Sequence, residues 1–261
     1  MERKEELVSK IKELFGARIL SADLHLFDSI DSTNTEAKRR ALADNVGRPS
    51  FFMALSQTAG RGRLGRSFLS QGGGLYLSYL FYPDMPCEDS ILITVYAAVC
   101  VCETIEELCG VKPDIKWVND VLLGGKKVAG ILTEGKISES GNVFDYAVVG
   151  IGVNVAAVDF PSELSEIATD LESASGKRTS LAAFAVCLAE KLLAFDPSLA
   201  RNYIERYKMR SAVIGREVRV ISPVGEYSAR VLDIDERGAL IIERACGERE
   251  ALVSGEISIR L

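Results

Sequence analysis

The 261-residue sequence contains a single histidine, His25, and six cysteines that include no C-x-x-C pair. A histidine triad or a multi-histidine metal site would depend on that one residue, which lies in the alternating, strand-like run "DLHLF". The cysteines lie mostly in apolar helical runs, which indicates reduced core thiols, not a disulfide framework or a zinc site. The sequence therefore argues against histidine-based and cysteine-based chemistry.

The chain also lacks a long apolar run, because its uncharged, mainly apolar stretch at residues 90–102 has thirteen residues. About 18 are needed to suggest a membrane span. The N-terminal segment "MERKEELVSKIKELFG" carries charges of both signs and no apolar core, so it is not a signal peptide. A net charge of -6 disfavours general attraction to nucleic acid or to anionic lipid. We therefore expect a cytoplasmic protein without membrane association.

Glycine and arginine are concentrated in "GRGRLGRS", residues 60–67. The spacing matches both the G-x-G-x-x-G dinucleotide fingerprint and the phosphate loop of nucleoside triphosphatases. Both motifs need a helix directly after the loop, with its N-terminus at a phosphate, but the strand-like run "LYLSYLFYP" follows here. What remains is a loop with Arg61, Arg63 and Arg66, which suits a carboxylate or phosphate ligand. The alternatives are a solvated basic loop or one that binds a nucleic-acid backbone, and the acidic balance of the chain argues against the latter.

Hydrophobic periodicity predicts several further elements along the chain. Thr33, with Glu36 three residues later, matches a capping box at the start of a helix. Gly124 and Gly125 mark a hairpin turn before "KKVAGILTE". Helices are predicted over residues 3–15, from 33 onward, over 88–109, and twice within 180–210; strands are predicted over 24–30, in "SFFMALSQ" and in "VFDYAVVGIGVNV". The last fifty or so residues show short alternating strands, which predicts a small β-barrel-like domain at 211–261 after a main domain at 1–210.

Polar residues are crowded around the predicted hairpin. Lys116, Asn119, Asp120 and Lys127 lie within twelve positions of one another. Asn and Asp are also ordinary turn residues, so turn chemistry explains part of this cluster equally well. Trp117 is more typical of a core residue than of a ligand contact.

Four segments, "QTAGRGRLGR", "KWVNDVLLGGKKVAGILTE", "VGIGVNV" and "GEISIRL", occur in an order and spacing that resemble a biotin protein ligase over most of the chain. The resemblance implies an α+β fold: a catalytic domain of the class II aminoacyl-tRNA synthetase-like, biotin-lipoate ligase type, with a mixed, mainly antiparallel sheet and packed helices, and a C-terminal SH3-like β-barrel. Two positions depart from the family pattern, because Val118 replaces a usual proline and Leu64 replaces a common basic residue.

The resemblance implies a two-step reaction. Biotin and ATP form biotinyl-5'-AMP, and a lysine of a biotin carboxyl carrier protein then takes the biotin. By matched position, the residues that bind biotin would be Ser32, Thr33, Asn34, Gln57, Gly60, Arg61, Arg63, Lys127 and Gly130. Those that bind ATP or the adenylate would be Arg63, Arg66, Phe68, Asn119, Asp120, Lys127 and Asn154. Catalysis would rest on Lys127, Arg63, Arg61 and Asp120, and Asp120 would bind magnesium.

Two alternatives remain open at this point. "SQGGGLYLS" weakly resembles a motif of lipoate-protein ligases, although the arginine pair and histidine expected around it are missing. The chain could also be a sensor that binds biotin or nucleotide without turnover. The family resemblance allows a homodimer. We expect no DNA binding, because only about two dozen residues precede the first matched strand, too few for a three-helix DNA-binding unit.

Overall fold

The computed structural model describes residues 4–43, 48–139, 141–156, 158–222 and 225–259. The helices are α1 (Lys4–Arg18), α2 (Thr33–Ala43), α3 (Ile91–Cys109), α4 (Ser162–Ser165), α5 (Leu171–Ser175), α6 (Leu181–Leu193) and α7 (Ala200–Lys208). The strands are β1 (Asp23–Phe27), β2 (Ser50–Ala54), β3 (Gly74–Phe81), β4 (Asp114–Lys116), β5 (Asp120–Leu123), β6 (Lys126–Ile137), β7 (Phe144–Asn154), β8 (Glu217–Ser222), β9 (Gly225–Ile234), β10 (Leu240–Arg244), β11 (Arg249–Leu252) and β12 (Glu256–Ile259).

The main sheet has seven strands in the order β1-β2-β3-β7-β6-β5-β4. Only β1 and β2 pair in parallel, and every other neighbouring pair is antiparallel. This confirms the predicted mixed, mainly antiparallel sheet. The antiparallel pairing of β2 with β3 also confirms that the segment between them is no βαβ crossover, which would join parallel strands. We call this segment, residues 55–73, the arginine loop.

Helices cover both faces of the sheet. Apolar residues of α1, α3, α6 and α7 form the large core on one face together with the sheet. A smaller cluster lies on the other face, where Ala37 of α2 packs with Phe52, Leu80, Tyr146 and Val148. All eight residues of β3 are buried as a result. None of the helices that the structure describes is long and apolar enough to cross a membrane.

The capping box predicted at Thr33 is wrong by one position. Helix α2 begins at Thr33, and the Ser32 hydroxyl accepts a hydrogen bond from the Thr35 amide at 3.4 Å. Glu36 binds Arg40 at 2.9 Å and Arg39 at 3.4 Å on the helix surface. Ser32 is therefore the residue that satisfies a free amide at the helix start, which leaves the Thr33 hydroxyl for other contacts.

The C-terminal residues form a second, five-stranded antiparallel sheet in the order β11-β10-β9-β8-β12. The predicted small β domain is thus present. In the part of the chain that the structure describes, the edge strands β11 and β12 do not pair with each other, so this is an open sheet and not a closed barrel. Each edge strand has four residues, which leaves few backbone groups for a closing ladder.

Contacts that join the small sheet to the rest of the protein include a buried hydrogen bond and two ion pairs. The Trp117 indole N–H donates to the Gly238 carbonyl at 2.9 Å, and Trp117 is almost fully buried, as predicted. Arg237 pairs with Asp89 at 2.8 Å, and Lys208 pairs with Asp233 at 2.9 Å. The two ion pairs are partly exposed and contribute little, so the buried indole contact is the more important one.

Gly238 provides a test of this packing. Its φ is +85°, and a Cβ there would lie 3.2 Å from Ile91 Cγ2 and 3.3 Å from Val95 Cγ2 of α3. Gly247 is a matched control, because its φ is +84° and a Cβ would meet nothing within 4 Å. We expect Gly238→Ala to lower the free energy of unfolding by about 1 to 3 kcal/mol more than Gly247→Ala, the usual cost of overpacking. Urea denaturation measures both, and equal losses would contradict the described packing of this turn on α3.

Candidate active site

A cavity of about 170 Å³ lies between the main sheet, the start of α2, the arginine loop and the C-terminal sheet. Its lining includes five cationic side chains, and among the described lining residues the single carboxylate is that of Asp120. The lining consists of Ser32, Thr33, Asn34, Gln57, Arg61, Gly62, Arg63, Leu64, Arg66, Ser67, Phe68, Tyr76, Lys116, Trp117, Asn119, Asp120, Lys127, Gly130, Ile131, Leu132, Gly150, Ile151, Gly152, Gly255 and Ile257. This excess of positive charge suits an anionic ligand.

The arginine loop is folded tightly over the cavity. The Gly62 amide donates to the Arg66 carbonyl at 2.7 Å, and the Phe68 amide donates to the Gly60 carbonyl at 3.0 Å. Gly60 allows this close approach, since a Cβ at that position would lie 2.3 Å from Ser70 Oγ. The loop thus brings its arginines to the cavity through its own backbone hydrogen bonds.

Arg63 joins the loop to two other parts of the chain. Its guanidinium donates to Asn119 Oδ1 at 3.0 Å and to the carbonyl of Gly255 at 3.1 Å. Asn119 is held in turn, because its Nδ2 donates to the Ile131 carbonyl at 3.0 Å. The C-terminal sheet therefore contributes directly to the position of a cavity arginine.

Lys127 and Asp120 face each other across the β5–β6 hairpin. Lys127 Nζ lies 2.6 Å from Asp120 Oδ1, which makes an ion pair. The direction of approach does not give a hydrogen bond, and in the described residues that buried oxygen has no other partner. Both glycines of the predicted turn have positive φ, +57° at Gly124 and +81° at Gly125, which confirms the hairpin. Asp120 Oδ1 thus has capacity to bind another positive or hydrogen-bonding group.

Three polar side chains, Thr33, Asn34 and Gln57, line the cavity next to α2. Together with the buried Ser78, which contacts two of them, we call these residues the polar cluster. Gln57 Oε1 accepts from the Thr33 amide at 2.8 Å and from its hydroxyl at 3.1 Å. Ser78 Oγ lies 2.7 Å from Thr33 Oγ1 and 2.6 Å from Asn34 Oδ1. Ser78 itself is fully buried, so the cluster is fixed from beneath by the main sheet.

The Phe68 ring forms an apolar wall of the cavity against two glycines. A Cβ at Gly152 would lie 2.5 Å from the ring, and one at Gly130 would lie 3.1 Å from it. Lys127 Nζ lies 5.7 Å from the ring centroid, within the range of a cation–π contact. The ring therefore covers strands β6 and β7 only because neither glycine carries a side chain.

Two family models match this chain: the Biotin/lipoate A/B protein ligase family over residues 26–154 and the Biotin protein ligase C terminal domain over residues 213–260. The bifunctional ligase/repressor BirA of Bacillus subtilis is 34% identical over 92% of this chain and 76% of that protein. The biotin--[acetyl-CoA-carboxylase] ligase of Paracoccus denitrificans is 32% identical over 87% of this chain and 96% of that protein. The chain belongs to the biotin protein ligase family.

A solved structure extends this family likeness to three dimensions. The biotin protein ligase from Aquifex aeolicus in complex with biotin and ATP matches with a TM-score of 0.75 and 31% identity, over 91% of this chain and 98% of that one. The predicted family and α+β fold class are thereby confirmed.

Most of the residues predicted for the ligase site line the one cavity. They are Ser32, Thr33, Asn34, Gln57, Arg61, Arg63, Arg66, Phe68, Asn119, Asp120, Lys127 and Gly130. Two of the predicted residues lie outside the lining. Gly60 lies within the arginine loop and packs against Ser70, and Asn154 is buried with its Nδ2 donating to the Thr169 carbonyl at 3.0 Å. Asn154 thus holds the segment after β7 through its side-chain amide, and its contact with a nucleotide stays a prediction.

Other lining residues were not predicted. Gly255 and Ile257 come from the C-terminal sheet, and Leu132 and Gly150 come from the middle of β6 and β7. The segment "GEISIRL" carried part of the family resemblance, which was a signal for Gly255, although no role was predicted for that residue. Local patterns cannot show which distant strand reaches a cavity.

Among the described residues, no three carboxylate, histidine or cysteine side chains are grouped so as to hold a metal ion. A magnesium ion usually binds through one or two carboxylates together with substrate phosphates and water. Asp120 fits the carboxylate ligand of such a site, because among the described residues its buried Oδ1 accepts no hydrogen bond. The donor set thus fits a metal that is held mainly by a nucleotide.

Proposed function

We propose that this chain is an ATP-dependent ligase that activates biotin as biotinyl-5'-AMP and transfers it to a lysine of a biotin carboxyl carrier protein. The observation that carries this proposal is the convergence of Lys127 and three arginines on a cavity that is also lined by uncharged polar side chains, those of Ser32, Thr33, Asn34 and Gln57. Such a site can hold a neutral polar ring at one end and two anionic groups at the other. This arrangement is what the joining of a carboxylate to a phosphate requires.

In this proposal the biotin ring lies against Ser32 and the polar cluster, whose amides and hydroxyls supply donors and acceptors for a cyclic urea. The carboxylate of biotin points toward Lys127 and Arg61. Phe68, Gly130 and Gly152 form the apolar wall along the alkyl chain and the nucleotide.

The first chemical step brings two negatively charged groups together. The biotin carboxylate attacks the α-phosphorus of ATP, and pyrophosphate leaves. Arg63, Arg66 and Lys127 screen the repulsion and stabilise the charge that develops on the phosphoryl oxygens. Magnesium, bound through Asp120 and the phosphates, would supply further neutralisation of charge.

In the second step a carrier lysine, as the free amine, attacks the acyl carbon of the adenylate and expels AMP. The mixed anhydride must be kept from water until then, and the arginine loop covers that side of the cavity. Arg63, held by Asn119 and Gly255, is placed to retain the acyl-phosphate.

A homodimer and a cytoplasmic location remain predictions.

Lipoate ligation and ligand sensing without turnover are the alternatives. Pyrophosphate exchange into ATP, measured with biotin and with lipoate, separates the three. We expect exchange that depends on biotin. Exchange with lipoate alone would favour the lipoate ligase, and exchange with neither would favour the sensor.

Lys127 provides the first test by mutation. Lys127→Ala should abolish biotin-dependent pyrophosphate exchange, because the charge of this lysine, which lies beside Asp120, is needed where negative charge develops on the α-phosphate. Lys126→Ala is the matched control, since Lys126 donates to the Ser165 carbonyl at 2.7 Å and does not line the cavity. Near-normal exchange by the Lys127 variant would show that this lysine has no role in adenylate formation.

Arg63 provides a second test, of retention of the intermediate. Arg63→Gly removes a charge-assisted contact of about 1.5 to 3 kcal/mol, which corresponds to about 10- to 150-fold weaker retention of biotinyl-adenylate. The escaped adenylate should biotinylate bystander proteins such as albumin, detected by streptavidin blotting. Arg63→Lys keeps the charge but loses the planar fork, so it separates charge from geometry. If Arg63→Gly forms adenylate normally and albumin stays unlabelled, Arg63 does not hold the intermediate.

Gly152 provides a third test, of the apolar wall. Gly152→Ala places a methyl group 2.5 Å from the Phe68 ring and must displace it, so affinities for both biotin and ATP should fall by about tenfold or more. Gly72→Ala, where a Cβ meets nothing within 4 Å, is the control. Isothermal titration calorimetry measures the Kd of each ligand. Unchanged affinities would show that neither biotin nor ATP contacts the Phe68 ring.

A further inference from the structure

Glu134 on β6 does not line the cavity, yet it contacts two residues that do. Its Oε2 accepts a hydrogen bond from Asn34 Nδ2 at 2.9 Å, and its Oε1 lies 3.6 Å from Arg61 Nη1. Away from the cavity, Lys38 Nζ donates to Oε1 at 2.7 Å. The Glu134 side chain is 21% exposed, so its hydrogen bonds are largely shielded from water.

The charge of this carboxylate fixes which way the Asn34 amide points. The Nδ2 group donates both to Glu134 and to the Leu132 carbonyl at 3.2 Å, and Oδ1 therefore faces Ser78 Oγ. If the amide were flipped, its oxygen would lie against two acceptor oxygens, one of them charged. Burial alone would raise the pKa of Glu134, but the hydrogen bonds from Lys38 and Asn34 and the nearby charges outweigh it and lower the pKa. The group is therefore a carboxylate at neutral pH.

With the amide fixed, the polar cluster has fewer hydrogens than acceptors. Three close oxygen–oxygen contacts run from Asn34 Oδ1 through Ser78 and Thr33 to Gln57 Oε1. Only the two hydroxyls of Ser78 and Thr33 supply hydrogens for them. Gln57 cannot flip to help, since its Oε1 also accepts from the Thr33 amide and its Nε2 donates to Ser70 Oγ. Both hydroxyl hydrogens are thus used inside the cluster, so what its oxygens offer a ligand is the capacity to accept a hydrogen bond.

We propose that Glu134 is a positioning residue of the biotin site, which holds the Asn34 amide so that the polar cluster accepts an N–H donor from the ligand. This inference rests on the proposed function, because the N–H group would belong to the cyclic urea of biotin. Glu134 does not touch the ligand, and its effect passes through Asn34.

The test compares three single variants by biotin titration calorimetry and by steady-state kinetics. Glu134→Met removes the acceptor at similar size, and we expect biotin Kd and KM to rise about 5- to 30-fold while kcat at saturating biotin stays within about twofold. Glu134→Gln should restore most of the binding, because its amide oxygen can still accept from Asn34 Nδ2. Lys38→Met, the matched control, removes the other partner of the same carboxylate and should bind biotin nearly as the parent does.

A double-mutant cycle with Asn34→Ala decides whether Glu134 acts through Asn34. In the Asn34→Ala background, Glu134→Met should weaken biotin binding no further. An equal loss in both backgrounds, or a comparable loss in Lys38→Met, would overturn the proposal and point to Arg61 or to general stability. If Glu134→Met does not fold, as judged by circular dichroism, Glu134→Ala carries the same expectations. A parent protein that neither binds biotin nor supports exchange would instead overturn the proposed function.

Discussion

The guanidinium of Arg63 joins three segments that are far apart in the sequence. Through its bonds to Asn119 and Gly255, the arginine loop, the turn before β5 and the C-terminal sheet meet at one point. A planar group with donors in a fixed fork makes two such bonds in directions set by its own geometry, whereas a lysine ammonium is a compact charge with rotatable donors. The shape of the cavity depends on these two bonds, because they hold the arginine loop against the turn before β5 and against the C-terminal sheet.

Electrostatic crowding is the second constraint on this site. Five cationic side chains line the cavity together with the carboxylate of Asp120. Asp120 partly neutralises Lys127, and Glu134, outside the lining, partly neutralises Arg61. Like charges so close together are costly in the absence of an anion. The ligand's carboxylate and phosphates therefore complete a charge balance that the protein alone leaves open, which favours binding both substrates together.

Local sequence patterns predicted much of this fold, and the reasons for the exceptions are physical. Alternation and the Gly124-Gly125 pair predicted β3 and the β5–β6 hairpin correctly, since these signals arise from neighbouring residues. The start of α2 was wrong by one position, because Ser32 and Thr33 are both good caps and only the backbone distinguishes them. Most site residues came from the family resemblance. Asn154 and Gly60 lie outside the cavity, and Gly255 and Glu134 were missed, because their positions depend on contacts between distant segments.

Trp117 lines the cavity with one edge and holds the C-terminal sheet through its indole N–H. Arg63 makes a second link of the same kind through Gly255. Because binding and conformational equilibria are reciprocal, a ligand that stabilises these two side chains also stabilises the attachment of the small sheet. By the same relation, any change that loosens the small sheet must weaken ligand binding, even if it lies far from the cavity. The C-terminal sheet is thus a thermodynamic partner of the site as well as one of its walls.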